Sequence, residues 1–317
     1  MGTKEAGSLP PPTPRMSDSA VPSLDEALWD ANPLLPEELE LLASQTGIRD
    51  SEELKRHVVE IQKRAYEIHS YPCIRTFNFV RSSRIARLPG YEKALALQRS
   101  HPDTLLLDIA CGFGTEIRKL VSNGFPAENI VGTDLHSEFW ELGHELFKSS
   151  PKTLPAKFLA GDIFSRAFFN PDSDDSSTRE GIPSTLTTLT PLKGKLTLIH
   201  AASFFHLFDE QTQLALARIL TALLSPESGA MIFGVQVGRR VAGPRTRVKY
   251  SEDDTGEDLY THSPESWRAM WEAVFAESGG AGEIEVHLKL KDEGQDTARA
   301  WSEDGADGWL IWSVTRV

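Results

Sequence analysis

The chain holds 317 residues, 40% of them hydrophobic, enough for one large domain or two small ones around a substantial core. With 46 acidic against 33 basic residues the formal net charge is −13 and no basic block interrupts it, so the overall field repels a phosphate backbone and excludes tight, non-specific nucleic-acid binding. Two cysteines, Cys73 and Cys111, exclude a disulfide scaffold and a zinc site; no run reaches the roughly 18 apolar residues of a membrane span and no basic-then-apolar leader opens the chain, so a metal-free cytoplasmic protein is expected.

Residues 1–23 are rich in Pro, Ser and Gly and too poor in apolar groups to offset chain entropy, which predicts a disordered tail. Residues 24–100 are expected to form a helical lid. A short helix spans Pro36 to Gln45, and a longer one starts at Asp50, capped there with Glu53 three residues on. Leu54, Val58, Ile61 and Ala65 make its apolar stripe, and Pro72 stops it. A mixed aromatic segment, Tyr71 to Phe79, precedes another short helix at Gly90 to Arg99.

From 101 to 317 strands and helices alternate, which implies parallel strands joined by right-handed crossovers. Strands are predicted near 104–110, 129–135, 157–163, 195–203 and 230–237, with helices near 114–123, 136–149 and 209–224. Ser263-Pro264-Glu265 reads as a helix start, with Ser as cap and Pro in the first turn. Two final strands run from Glu283 to Leu290 and from Trp309 to Val317. The polar stretches 170–186 and 291–308 read as solvated inserts, and no internal repeat is present.

The chemistry concentrates where strands end. Leu105-Leu106-Leu107-Asp108 closes the first strand and runs into Ile109-Ala110-Cys111-Gly112-Phe113-Gly114, a turn that lets backbone approach a ligand. Asp134 ends the second strand twenty residues after Gly114, the separation at which an acid commonly holds a ribose, although a helix N-cap also explains it. Asp162 ends the third. Three acids at successive strand ends of one sheet mark the ligand crevice and a nucleoside-containing cofactor. A dinucleotide fingerprint read from Gly112 places Ile117 at its third small position, where a branched side chain conflicts with close helix–strand packing.

Read instead from Asp108, with Ala110, Gly112 and Gly114 at the glycine positions, the turn resembles motif I of class I S-adenosylmethionine-dependent methyltransferases. The resemblance implies a Rossmann-like α/β sheet of seven strands, the last antiparallel, with helices on both faces. It also implies S-adenosylmethionine as cofactor, with Asp108 near the methionine ammonium and Asp162 near the adenine amino group. Alanine at 110 departs from the pattern.

A narrower resemblance follows the fourth strand. Ala201-Ala202-Ser203-Phe204-Phe205-His206-Leu207-Phe208 is similar to the matching stretch of fungal terpenoid and meroterpenoid methyltransferases, several of which form carboxyl methyl esters. Tyr71-Pro72-Cys73-Ile74, Asp134-Leu135, Glu138 to Gly143, Gly234 to Gly238 and Ser266 to Trp271 share it. It implies that Tyr71 reaches the methionyl carboxylate, with Arg75 or Arg81 as charge partner, and that Leu135, Ile163, His200 and Ala201 also line the cofactor site. Taken alone, His200 reads as a structural strand residue in an apolar setting.

The same loop faces a small-molecule acceptor. Phe204, Phe205 and Trp267 are candidate pocket walls, Trp267 sharing the helix face of Met270 and Trp271, which core packing also explains. His206 is the candidate proton acceptor, and Gln236 could bond a substrate oxygen. Arg239, Arg240, Arg245 and Arg247 are further candidates to orient a carboxylate. The first reading is therefore a carboxyl O-methyltransferase of secondary metabolism, in which the acceptor is already ionised and needs no strong base. The second is a hydroxyl O- or N-methyltransferase with His206 as base; a third is cofactor binding without catalysis. Oligomeric state leaves no mark on the sequence.

Overall fold

The computed structural model describes residues 22–81, 83–173, 181–245, 259–290 and 306–317. Nearly all of the expected tail, much of both inserts and Arg247 lie outside them. Pro22 and Ser23 are tied down: their carbonyls accept from Tyr66 Oη at 2.6 Å and from Arg75 Nε at 2.8 Å.

The helical part opens with α1 (Ala27–Ala31), α2 (Pro36–Thr46), α3 (Ser51–Ile68), α4 (Pro72–Arg75), α5 (Ser83–Ala86) and α6 (Pro89–Ser100). Asp50 caps α3 by accepting from Glu53 N at 2.8 Å, and the stripe Leu54, Val58, Ile61 and Ala65 is buried. Strand and helix then alternate through β1 (Leu106–Ile109), α7 (Thr115–Ser122), β2 (Ile130–Asp134), α8 (Ser137–Leu146), β3 (Lys157–Ala160), β4 (Leu198–Ala202), α9 (Glu210–Leu223) and β5 (Met231–Gly238). The chain ends with β6 (Gly243–Arg245), β7 (Leu259–Thr261), α10 (Pro264–Glu277), β8 (Gly282–Leu290) and β9 (Gly308–Arg316).

The main sheet has the order β3-β2-β1-β4-β5-β9-β8, with β1 to β5 parallel and β9 antiparallel to both neighbours. This is the seven-stranded arrangement with an antiparallel last strand implied by the resemblance. The β6–β7 pair stands apart and has no counterpart in the sequence reading.

Both faces of the parallel strands are covered, so their apolar runs are continuous and not alternating. Leu107, Ile109, Val131 and Ile199 join one core with α9 and α10; Leu106, Ile130, Leu198 and Phe233 join the other with α6 and α7. A third core binds α2, α3 and α4 to Phe113, Phe139 and Phe147, so the N-terminal helices are fastened over the motif turn.

Ile117, which argued against a dinucleotide, is fully buried, and the space for it comes from the strand side. A Cβ on Gly132 of β2 would lie 2.9 Å from Ile117 Cδ1. The small residue has moved from helix to strand, and helix–strand packing stays close.

Candidate active site

A cavity of about 360 Å³ opens at the carboxyl ends of β1 to β4 beneath α4 and α5. Its size and position suit a small-molecule ligand in an open α/β sheet.

On the β1 side lie Asp108, Ala110 and Gly112. Ala110 takes φ +56, a left-handed conformation that glycine adopts freely and alanine only under strain. Gly114, at φ +66, caps α7 outside the cavity wall. A Cβ there would meet the Trp140 ring at 2.5 Å, so its role is in packing the turn. Arg118, buried behind it, donates to the carbonyls of Phe113 and Gly114 at 2.7 and 3.1 Å and to Ser149 Oγ at 2.9 Å. Its guanidinium also lies over Trp140 and Phe147. Burial pulls its pKa down to about 9, which leaves it a cation at neutral pH. This arginine, which the sequence reading did not single out, holds the turn in shape.

Asp108 is buried and accepts from His200 Nδ1 at 2.7 Å through Oδ1, while Oδ2 has no protein partner. His200 lines the cavity; Ala201 turns from it, its carbonyl pressed against Gly234 of β5. Asp134 receives Gly112 N and His136 N at 2.9 and 3.0 Å, and burial raises its carboxyl above the usual range. Leu135, Asp162 and Ile163 complete this wall, with Leu135 63% exposed at the rim. Tyr71 lines the cavity from the N-terminal side, its ring 4.0 Å from that of His69.

The expected cations are elsewhere. Arg75 is bonded to Ser23, and Arg81 to Glu38 and the Asn32 carbonyl. The lysine and arginine positions among the described cavity residues reduce to Arg84 on α5, which the sequence reading missed; its Nη2 donates to Ser203 Oγ at 2.7 Å.

The acceptor side is built by the segment after β4. Ser203 takes φ +52 and the chain then makes a 3₁₀ turn over Phe205–Leu207. Phe204, His206, Leu207 and Phe208 face the cavity, with Phe164 edge-on to Phe208. Phe205 is a correction to the expected pocket: the turn drives it into the core against Trp267, Trp271 and Trp312. Trp267 is fully buried in that same cluster and is not among the residues that line this cavity. Gln236 is buried within β5 and absent from the wall, so it does not reach an acceptor oxygen. Arg239 donates to Pro244 O, Arg240 is exposed, and Arg245 donates to the His206 carbonyl at 3.2 Å. Burial, then the charges of Arg245 and Arg84, hold the His206 imidazole well below the ordinary histidine range.

Residues 28–80 match the family profile described as a meroterpenoid methyltransferase N-terminal domain. An O-methyltransferase of Stereocaulon alpinum, atr3, is 30% identical over 306 residues, 96% of this chain and 79% of that protein. The O-methyltransferase phiE of a fungal species is 35% identical across 74% of this chain and 69% of its own. The asnovolin E/chermesin D methyltransferase nvfJ of Aspergillus novofumigatus is 30% identical across 84% of each. The chain belongs to this family of fungal methyltransferases.

For a methyltransferase of this fold the methyl donor is S-adenosylmethionine, and the cavity fits it. The unpartnered Asp108 Oδ2 could accept from the methionine ammonium. Asp134 could accept from ribose hydroxyls, and exposed Leu135 with Ile163 would offer apolar surface to a base. Among the described residues no group of His, Cys, Asp and Glu forms a metal site, and no helix is long and apolar enough to cross a membrane.

Proposed function

We propose that this methyltransferase transfers a methyl group to the carboxylate of an apolar, terpenoid-like small molecule, forming a methyl ester. The environment of His206 carries the reading. It is the histidine on the aromatic side of the cavity, yet burial first, and then the charges of Arg245 and Arg84, lower its affinity for a proton. Deprotonating a hydroxyl of pKa near 10 with such a base is steeply uphill, whereas a carboxylate, with a reference pKa of roughly 4, arrives ionised. The names of the relatives support oxygen as the acceptor atom: two are O-methyltransferases, and one is named for acting on asnovolin E and chermesin D.

The donor supplies an electrophilic methyl on a sulfonium. The chain's residues do the rest: Asp108 and Asp134 fix the donor, and Phe204 and Phe208 bound an apolar space that excludes water. Oxygen, methyl carbon and sulfur need only be held in line. Opposite charges on acceptor and donor disappear together as the bond forms, so a water-poor cavity favours the step. Matched panels of terpenoid acids, phenols and alcohols, incubated with S-adenosylmethionine and read by mass, test this. Methylation confined to the acids supports it, and methylation confined to phenols or alcohols overturns it.

A further inference from the structure

We propose that Arg84 is the receptor for the acceptor's carboxylate, an assignment that rests on the ester-forming reading above. Arg84 comes from α5, 119 residues from its partner, and places Nη2 2.7 Å from Ser203 Oγ at the end of β4. Ser203 is held rigidly. Its backbone N donates to Val235 O at 2.7 Å, and its φ of +52 turns it out of the strand line. Trp309 lies under the guanidinium, 5.8 Å from ring centroid to Cζ. The head group is therefore fixed on two sides before any ligand enters.

Its charge lacks a local match. Among the described residues no carboxylate lies within ion-pair distance of Arg84, in contrast to the buried Arg81, which pairs with Glu38. Glu116 feels Arg84 through space, but burial, the larger influence, raises its carboxyl above the usual range. With Glu116 of the same cavity acting on it only through space, a half-buried guanidinium that no carboxylate contacts is costly, and an incoming anion lowers that cost. The planar fork presents five N–H donors, one of them engaged by Ser203, and pairs of them fit a carboxylate. A single guanidinium matches a single negative charge.

The continuity of Ser203 with the aromatic segment after β4 points to the acceptor as the source of that anion, and the donor's own carboxylate is the alternative that the binding of S-adenosylhomocysteine to Arg84 variants separates. Ser203 leads directly into Phe204, His206 and Phe208, the aromatic side of the cavity, while Asp134, Leu135 and Asp162 follow β2 and β3, across β1 from β4. In the reaction one carboxylate oxygen forms the new O–CH₃ bond, the C–S bond breaks with its electron pair retained by sulfur, and no proton moves. The products are a neutral ester and a neutral thioether. The ester no longer pairs with Arg84, which favours its release.

Calorimetry on the full chain saturated with S-adenosylhomocysteine tests this with a series of probes: benzoate, 2-naphthoate and abietate, each beside its carboxamide. The wild type is expected to bind at least one acid tenfold or more tighter than its amide. Arg84→Met abolishes that preference, Arg84→Lys restores part of it, and both variants bind S-adenosylhomocysteine within threefold of the wild type. An acid preference that survives in Arg84→Met overturns the assignment of Arg84 and leaves the ester reading standing. A tenfold loss of S-adenosylhomocysteine binding in Arg84→Lys also overturns it, since the partner is then the donor. A wild type with no acid preference anywhere in the series overturns both.

Discussion

At the residue scale the proposed acceptor chemistry turns on His206. Burial, then the charges of Arg245 and Arg84, leave it weakly basic, so the proposed ester formation does not call on it. His206→Asn is expected to lower kcat on an acid acceptor by less than about tenfold, and kcat stays flat from pH 6 to 9. A loss of about 100-fold or more, the range of a general base, contradicts this. A second histidine governs stability. Burial lowers the pKa of His262 to about 4, while its Nδ1 shares a hydrogen bond with Ser266 Oγ at 2.9 Å. The unfolded ring binds a proton near pH 6.5 and the native ring only near pH 4. The contribution of His262 is therefore full above about pH 6.5 and is lost as pH falls toward 4, on the order of 3 kcal/mol in all. Melting curves between pH 7 and 4.5 should show a smaller fall in Tm for His262→Gln than for the wild type; equal slopes contradict the account.

Which residues the sequence disclosed follows from the same geometry. Asp108, Asp134 and Asp162 were readable because each closes an apolar strand, and a strand end has one place to be. Phe205 was not, because the left-handed Ser203 and the turn after it decide which ring faces the cavity, and alternation along a strand carries no sign of either. Gln236 looked available because it ends a strand, but β9 pairs alongside it and buries it. Arg84 was invisible for another reason: its partner Ser203 is brought to it only by the whole fold.

At the scale of elements, α8 and the motif turn act as one unit. Gly143 on α8 admits the Phe113 carbonyl so closely that an added Cβ would sit 2.2 Å from its oxygen, against backbone and with no side chain to swing aside. Gly143→Ala should therefore push the turn off its position, costing about 2 kcal/mol as an overpacked contact and weakening S-adenosylhomocysteine binding about tenfold. Thermal melts and calorimetric titration check the two effects, and an unchanged variant contradicts the coupling. The long elements were legible from periodicity and caps: Asp50 and Ser263, both read as caps, accept the backbone N–H three residues on, and Asp209, not read as one, does the same. The β6–β7 pair was not, being two three-residue strands, one carrying Pro244, that draw on a partner distant in sequence.

Across the whole molecule, three cores join the N-terminal helices, the motif turn and the two faces of the sheet around the cavity at the strand ends. One wall carries acids suited to a cationic donor. The other carries aromatic rings, a weakly basic imidazole and one guanidinium, suited to an apolar anion. The central claim is that the methyl group crosses between them onto a carboxylate oxygen. The fate of a labelled methyl tests it most directly. S-adenosylmethionine carrying a trideuterated methyl is incubated with the chain and a terpenoid acid, and the isolated product is treated with mild base. The account predicts quantitative release of the label as trideuterated methanol with recovery of the acid. A label that survives base treatment on the product, as an ether or amine, contradicts it.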